Sequence, residues 1–142
     1  MNLEKQVKLF DIEYYEGPML SLFRDDKVDN FYLYKWLDVA KNGHKWLIFN
    51  INLDNLYDYI QQNIDERTLI ENALGGQYTT AVIHPDLSFG DIKLFTNASL
   101  PPHFLPANGC FFMPPDCPDY EAVTAFFDNS SIVSLRITNK AA

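Results

Sequence analysis

Cysteine is scarce in this sequence of 142 residues, and both cysteines, Cys110 and Cys117, lie in the segment CFFMPPDCP. A structural zinc site needs four ligands, usually supplied by closely spaced pairs, and the sequence has no second cysteine pair. His84 and His103 are the residues that could complete such a set. We therefore expect two free thiols that pack beside the apolar residues 111–113, with a disulfide or a metal clip as the alternatives.

Long apolar runs are also missing from the sequence. The longest candidate, WLIF at 46–49, is the size of a strand and falls far short of the ~18 apolar residues of a membrane span. The N-terminal stretch MNLEKQVKLF has no long apolar segment after its charges, which argues against a secretory signal. The sequence therefore predicts a cytoplasmic protein that does not associate with membranes.

Basic residues are too few to attract nucleic acid. Lysine and arginine number 11 against 19 acidic residues, which gives a net charge of −8. Such a surface repels phosphate backbones, so no nucleic-acid partner is expected. The acidic residues are scattered along the chain, which favours a plain solvated surface. The alternative is an acidic inhibitor or immunity-type protein that presents carboxylates to a basic partner.

Established catalytic motifs are absent as well. The sequence has no G-x-S-x-G, Walker A, G-x-G-x-x-G or H-E-x-x-H segment. A triad of Cys110, His103 and Asp116 can be drawn, but no recognised nucleophile context supports it. We therefore expect a protein that is not an enzyme and that carries no cofactor.

One segment competes with that expectation. The stretch HPDLSFGDIKLF at 84–95 resembles the P-D…D/E-x-K pattern of a large nuclease superfamily, in which two carboxylates hold a divalent cation and the lysine steadies the attacking water. The resemblance implies a small metal-dependent hydrolase that uses Asp86, Asp91 and Lys93, with His84 as a further ligand. Only four residues separate the two aspartates, however, so a polar β-turn with Lys93 in solvent is the competing interpretation.

Apolar and aromatic residues are what the sequence has in quantity, at 47% and 15%. A chain of this length buries roughly 68–70% of its unfolded surface, so we expect one globular domain over residues 1–142. Period-two alternation predicts three antiparallel strands within residues 18–51, with Asn42-Gly43 as the hairpin turn between the last two. Helical periodicity then predicts two short helices, over 52–64 and 65–76, with Asn52 and Asp65 as N-caps.

The second half of the sequence alternates less regularly. Strands are predicted over 77–85 and 91–96. The span 99–118 holds six of the eight prolines, which disfavour regular structure there. A short helix over 118–127 and a final strand over 131–138 follow. The predicted fold is α+β with a mainly antiparallel sheet, whose N-terminal part could curl into a barrel-like shape.

An aromatic stripe on the second predicted strand is the best positive indication of function. Tyr32, Tyr34 and Trp36 alternate and so share one face of the strand. A covered face would make them core, whereas an open one would form an interaction surface. The leading hypothesis is a non-enzymatic module that binds a protein partner through this face or through the Pro-rich span, with a symmetric homodimer as one form of association.

The segment 31–73 combines a Tyr-Leu hairpin strand, a return strand ending in isoleucine, an L-x-x-L helix start and a following I-x-x-R-x-L helix. In this respect it resembles a small bacterial domain family of unknown function. The matching positions are Tyr32, Leu33, residues 47–51, Leu53, Leu56, Ile64, Arg67 and Leu69. The resemblance implies no activity and assigns no catalytic residue.

Overall fold

The computed structural model describes residues 3–26 and 30–129, which form an α+β fold built on one six-stranded antiparallel sheet. Its strands lie in chain order and are β1 (Gln6–Tyr14), β2 (Pro18–Asp25), β3 (Phe31–Ala40), β4 (Gly43–Ile51), β5 (Gln77–Ile83) and β6 (Phe89–Thr96). Its helices are α1 (Leu53–Ile60), α2 (Glu66–Glu71) and α3 (Tyr120–Asp128). The sheet is not closed into a barrel, because β1 and β6 are its two edges and do not pair with each other.

The predicted central elements are confirmed. Three antiparallel strands lie within residues 18–51, and both predicted caps form: Asn52 Oδ1 accepts from the Asp54 amide at 2.8 Å, and Asp65 Oδ1 accepts from the Thr68 amide at 2.9 Å. The second helix ends at Glu71 rather than near residue 76, where a 3₁₀ turn follows instead. Strand β1 was not predicted, and the strand predicted over 131–138 lies outside the described residues.

The β3–β4 hairpin needs a glycine after its turn. Asn42 has a φ of 63°, and Gly43 lies so close to β5 that a Cβ atom there would collide with the backbone carbonyl of Ile83. We expect Gly43→Ala to destabilise the fold by about 1–3 kcal/mol, since the β5 backbone must move to admit a methyl group. Urea denaturation measures this cost. Gly109→Ala is a contrasting change, because no atom would meet the new Cβ there and its cost comes from a left-handed φ of 86° rather than from crowding.

One face of the sheet is covered by the helices and the Pro-rich span, and this helical face holds the main core. Leu20, Leu33 and Leu47 lie fully buried across its centre. The span between β6 and α3 contains two 3₁₀ turns, Pro102–Phe104 and Pro114–Asp116, and it inserts Phe104, Phe112 and Cys117 into this core. The main contribution of the Pro-rich span is therefore to the packing of this core.

The opposite face of the sheet carries a smaller core, and within the described residues none of α1, α2 and α3 covers it. The register places Tyr34 beside Ile48, Ile48 beside Thr79, and Thr79 beside Leu94, so these four residues form one row across β3 to β6. Tyr32, Tyr34, Ile48 and Ala81 are buried on this face, with Leu3 from the N-terminal 3₁₀ turn packed against them. We call this the open face.

Candidate functional site

A groove of about 1110 Å³ runs over the open face of the sheet. Its floor and walls come from the N-terminal 3₁₀ turn and from β3, β4, β5 and β6, and they include Leu3, Glu4, Tyr32, Ile48, Thr79, Phe89, Ile92 and Leu94. Binding sites in proteins typically have volumes of about 300–1,000 Å³ and a mostly apolar lining with a few polar groups. The groove is slightly larger than this range, and its lining has the mainly apolar character of a binding site.

The β6 wall of the groove exposes apolar side chains that the fold does not cover. Leu94 is 78% exposed and Ile92 is 54% exposed, although both line the groove. The register of β6 shifts between the partners of Thr80 and Val82, which marks a bulge in β6. Asp91 lies in this bulge and adopts a φ of 47°. The bulge increases local twist. Its extra residue also shifts the alternation of β6 by one position, so that Phe89 and Leu94 lie on the same side of the sheet.

The floor of the groove contains a polar group without a partner. Asn50 lines the groove, and its Oδ1 atom is inaccessible to solvent and accepts no hydrogen bond from the described residues. The Tyr32 hydroxyl belongs to the same lining, and burial is the chief cause of its raised pKa. Unsatisfied polar groups of this kind are uncommon in folded proteins and commonly mark a functional position or an ordered water.

The three residues predicted to form an aromatic binding face have different environments. Tyr32 lines the groove. Tyr34 is only 2% exposed, stacks on Phe23 with a centroid distance of 3.8 Å, and donates a hydrogen bond to Gln6 Oε1 at 2.6 Å. Trp36 is partly exposed outside the groove, and its indole Nε1 donates to His44 Nδ1 at 3.1 Å. The stripe is thus core at Tyr34 and a buried part of the groove lining at Tyr32.

The residues of the metal-site hypothesis are not brought together. His84 Nδ1 contacts the Asn42 carbonyl oxygen at 2.8 Å, whereas Asp86 Oδ1 accepts from the Ser88 hydroxyl at 2.6 Å. Asp91 Oδ1 lies 3.9 Å from Lys93 Nζ. Hydrogen bonds from the Ser88 side chain and amide lower the pKa of Asp86. Across residues 3–26 and 30–129, no three His, Cys, Asp or Glu side chains are grouped so that they could hold a metal ion.

Both cysteines are free thiols and no disulfide joins them. Cys117 is buried in the main core with its Sγ 3.7 Å from the Asp11 carbonyl oxygen, and burial raises its pKa. Cys110 is exposed. The predicted role as a small apolar core residue therefore fits Cys117 and does not fit Cys110.

A cluster of four polar side chains, of which Tyr59 and Glu66 are buried and Glu13 and Lys35 partly buried, lies between the sheet and the helices. Glu13 comes from β1, Lys35 from β3, Tyr59 from α1 and Glu66 from α2. Lys35 Nζ lies 2.5 Å from Glu66 Oε1. The Tyr59 hydroxyl donates to Glu13 Oε1 and lies 3.3 Å from Glu66 Oε2, so it contacts both carboxyl groups. We call this set the carboxylate cluster.

The carboxylate cluster perturbs the titration of its members. Burial raises the pKa of Glu13 to about 7, with further contributions from the hydrogen bond to Glu66 and from the negative charge of that residue. Burial also raises the pKa of Tyr59 strongly. Sequence reasoning missed this cluster. Its one visible signal is Lys35, which alternates with Leu33 and Leu37 on an apolar strand face and therefore needs a buried acidic partner.

Comparisons with protein-family models, curated proteins and solved structures gave no significant match. The resemblance over residues 31–73 therefore stays a prediction. Within the described residues, no helix combines the length and the apolar character that crossing a membrane requires.

Proposed function

We propose that this protein is a non-enzymatic binding module that holds an apolar peptide segment of a protein partner in the groove on the open face. The observation that carries the proposal is the exposure of Ile92 and Leu94 along the wall of a groove of about 1110 Å³. Exposed apolar groups gathered around a concavity are typical of interaction sites, whereas scattered single ones are ordinary.

The open wall favours an extended peptide over an enclosed small molecule. Small-molecule sites bury roughly 70–90% of the ligand surface, which a wall with a largely exposed Leu94 does not readily provide. Among the described strands β6 is an edge of the sheet, and an extended segment beside an edge strand can combine main-chain hydrogen bonds with apolar side-chain contacts. Glu4 is the one charged residue that the described part of the chain contributes to the lining, so a neutral or weakly basic segment suits the groove.

The Pro-rich span is a weaker candidate for the same role. Phe104, Phe112 and Cys117 are buried in the main core, so this span already has an intramolecular partner. Phe111 and Met113 are exposed, but neither lines the groove on the open face. The groove, with Tyr32 in its floor, is therefore the better-supported binding surface.

A paired substitution tests the groove. We expect Leu94→Asp to weaken binding of the neutral apolar dye Nile red at least tenfold, because it replaces an apolar contact with a charge and each tenfold loss requires about 1.4 kcal/mol. Val39→Asp is the matched control, since Val39 is a 66% exposed strand residue that does not line the groove. Fluorescence titration at equal protein concentration measures both affinities, with circular dichroism to verify folding.

The identity of the occupant requires a second measurement. Peptides selected from a random library on the wild-type protein should displace Nile red and should fail to bind the Leu94→Asp variant. Equal dye affinity in the Leu94→Asp and Val39→Asp variants would contradict the groove as the binding site. A dimer that Leu94→Asp dissociates in sedimentation analysis would instead make a second copy of this chain the occupant.

A further inference from the structure

The carboxylate cluster joins four separate elements through one hydroxyl and one ammonium group. Tyr59 contacts both Glu13 and Glu66, and Lys35 pairs with Glu66 at 2.5 Å. Glu66 is a buried residue, and its pairing with Lys35 is itself largely removed from water, with 16% of the lysine side chain exposed. The cluster is therefore a polar site inside the main core that the proposed binding function does not use.

Charge counting in the carboxylate cluster requires a proton. Two ionised carboxylates beside one ammonium would leave one net negative charge inside the core. An uncompensated buried charge is strongly unfavourable, and two carboxyl groups at one site commonly share a proton instead. One proton on the pair makes the cluster neutral overall and supplies a donor between the two carboxyl groups.

We propose that Glu13 and Glu66 share one bound proton in the folded protein, and that loss of this proton weakens the attachment of α1 and α2 to the sheet. The groups that face Glu13 are Tyr59 from α1, Glu66 from α2 and Lys35 from β3, and the thiol of Cys117 also lies within range of its charge. The hydrogen bond from the Tyr59 hydroxyl and the ammonium of Lys35 oppose the repulsion that ionisation creates.

The same site connects the Pro-rich span to the helices. The Glu66 amide donates to the Cys110 carbonyl oxygen at 2.8 Å, and Gln62, which follows α1, donates to the Phe112 carbonyl oxygen at 2.7 Å. Movement of α2 away from the sheet would therefore also disturb this span. The effect of the proton is conformational, because the titrating groups hold α1 and α2 against the sheet.

The direction of the pH effect follows from linkage. The folded-state pKa of Glu13, about 7, lies above its ordinary value of 4.5, so the folded protein binds more protons than the unfolded chain between these values. This contribution to stability is complete below pH 4.5 and decreases as pH rises through 7. We expect the folding equilibrium constant of the wild type to fall about a hundredfold relative to that of Glu13→Gln between pH 4.5 and 8.

Carbon NMR of the wild-type protein labelled at the glutamate carboxyl carbons tests the site directly. With the signals assigned through the backbone, we expect the Glu13 carboxyl to titrate near neutral pH. Hydrogen exchange, corrected for its intrinsic pH dependence, should then accelerate in α1 and α2 between pH 6 and 8.5. The Glu13→Gln variant should lack this acceleration, whereas Glu16→Gln should retain it.

Two results would overturn the proposal. The first is titration of both the Glu13 and Glu66 carboxyls below pH 5.5, which would mean that the pair holds no proton at neutral pH. The second is corrected exchange in α1 and α2 of the wild type that does not change with pH. Both measurements use the wild-type protein, so a Glu13→Gln variant that fails to fold does not prevent a decision.

Discussion

Replacing Lys35 with alanine is expected to destabilise the folded protein by about 3 kcal/mol. The change removes the ammonium from a largely buried pair and leaves Glu66 beside Glu13 without a compensating charge. Removing one partner of a buried ion pair typically costs about 3–5 kcal/mol, and the remaining exposure of Lys35 places the cost at the lower end. Urea denaturation at pH 6.5 measures this loss.

Lys93→Ala is the matched control, because Lys93 follows Lys35, Leu47 and Thr80 in the same register row but is 60% exposed. We expect it to change stability by less than about 0.5 kcal/mol. Glu66→Gln should recover part of the stability that a Lys35→Met variant loses, because it removes the carboxylate charge that the missing ammonium leaves unpaired. A loss of less than about 1 kcal/mol in Lys35→Ala would contradict this expectation, because the Lys35–Glu66 pair would then contribute less to the stability of the fold than a buried ion pair does.

Tyr34→Ala is expected to cost about 3–5 kcal/mol, whereas Trp36→Ala should cost about 1 kcal/mol. Tyr34 is buried, stacked on Phe23 and hydrogen-bonded to Gln6, so truncation leaves a cavity and an unpaired amide oxygen. Trp36 remains partly exposed, and its indole hydrogen bond is made at the surface. The larger loss corresponds to a fall in melting temperature of about 10 °C.

Differential scanning calorimetry distinguishes the two positions. Similar melting temperatures for the two variants would contradict the division of the stripe into a core residue and a surface residue. Tyr34→Phe adds a second measurement, since it keeps the ring on Phe23 and removes the hydroxyl alone. We expect it to lose about 1 kcal/mol, the usual contribution of one hydrogen bond.

The elements that the sequence predicts well are those specified by local physics. The β3–β4 hairpin follows from alternation on both sides of Asn42-Gly43, and the caps at Asn52 and Asp65 follow from their hydrogen-bonding side chains. Strand β1 escapes prediction because its register is irregular. Shifts near Phe10 and Glu13 break the period-two pattern that identifies a strand.

The groove could not be predicted from the sequence, because it depends on how distant strands are placed. Alternation correctly puts Tyr32 and Tyr34 on one face, but burial of Tyr34 requires Phe23 from the neighbouring strand. The bulge at Asp91 decides which side chains of β6 reach the open face. Sequence spacing alone does not reveal a bulge, so the exposure of Ile92 and Leu94 along the groove could not be predicted.

The carboxylate cluster needs long-range information for the same reason. Lys35 signals a buried charge, but Glu13, Tyr59 and Glu66 come from three other elements. Neither spacing nor periodicity relates these positions, and only the packing of α1 and α2 on the sheet assembles them.

Methyl NMR of the wild-type protein bound to a library-selected peptide tests the central claim most directly. The groove account predicts nuclear Overhauser contacts from the peptide to the methyl groups of Ile48, Ile92 and Leu94, and none to Val39. Contacts that instead lie around Phe111 and Met113, with the methyl signals of Ile92 and Leu94 unchanged, would contradict it.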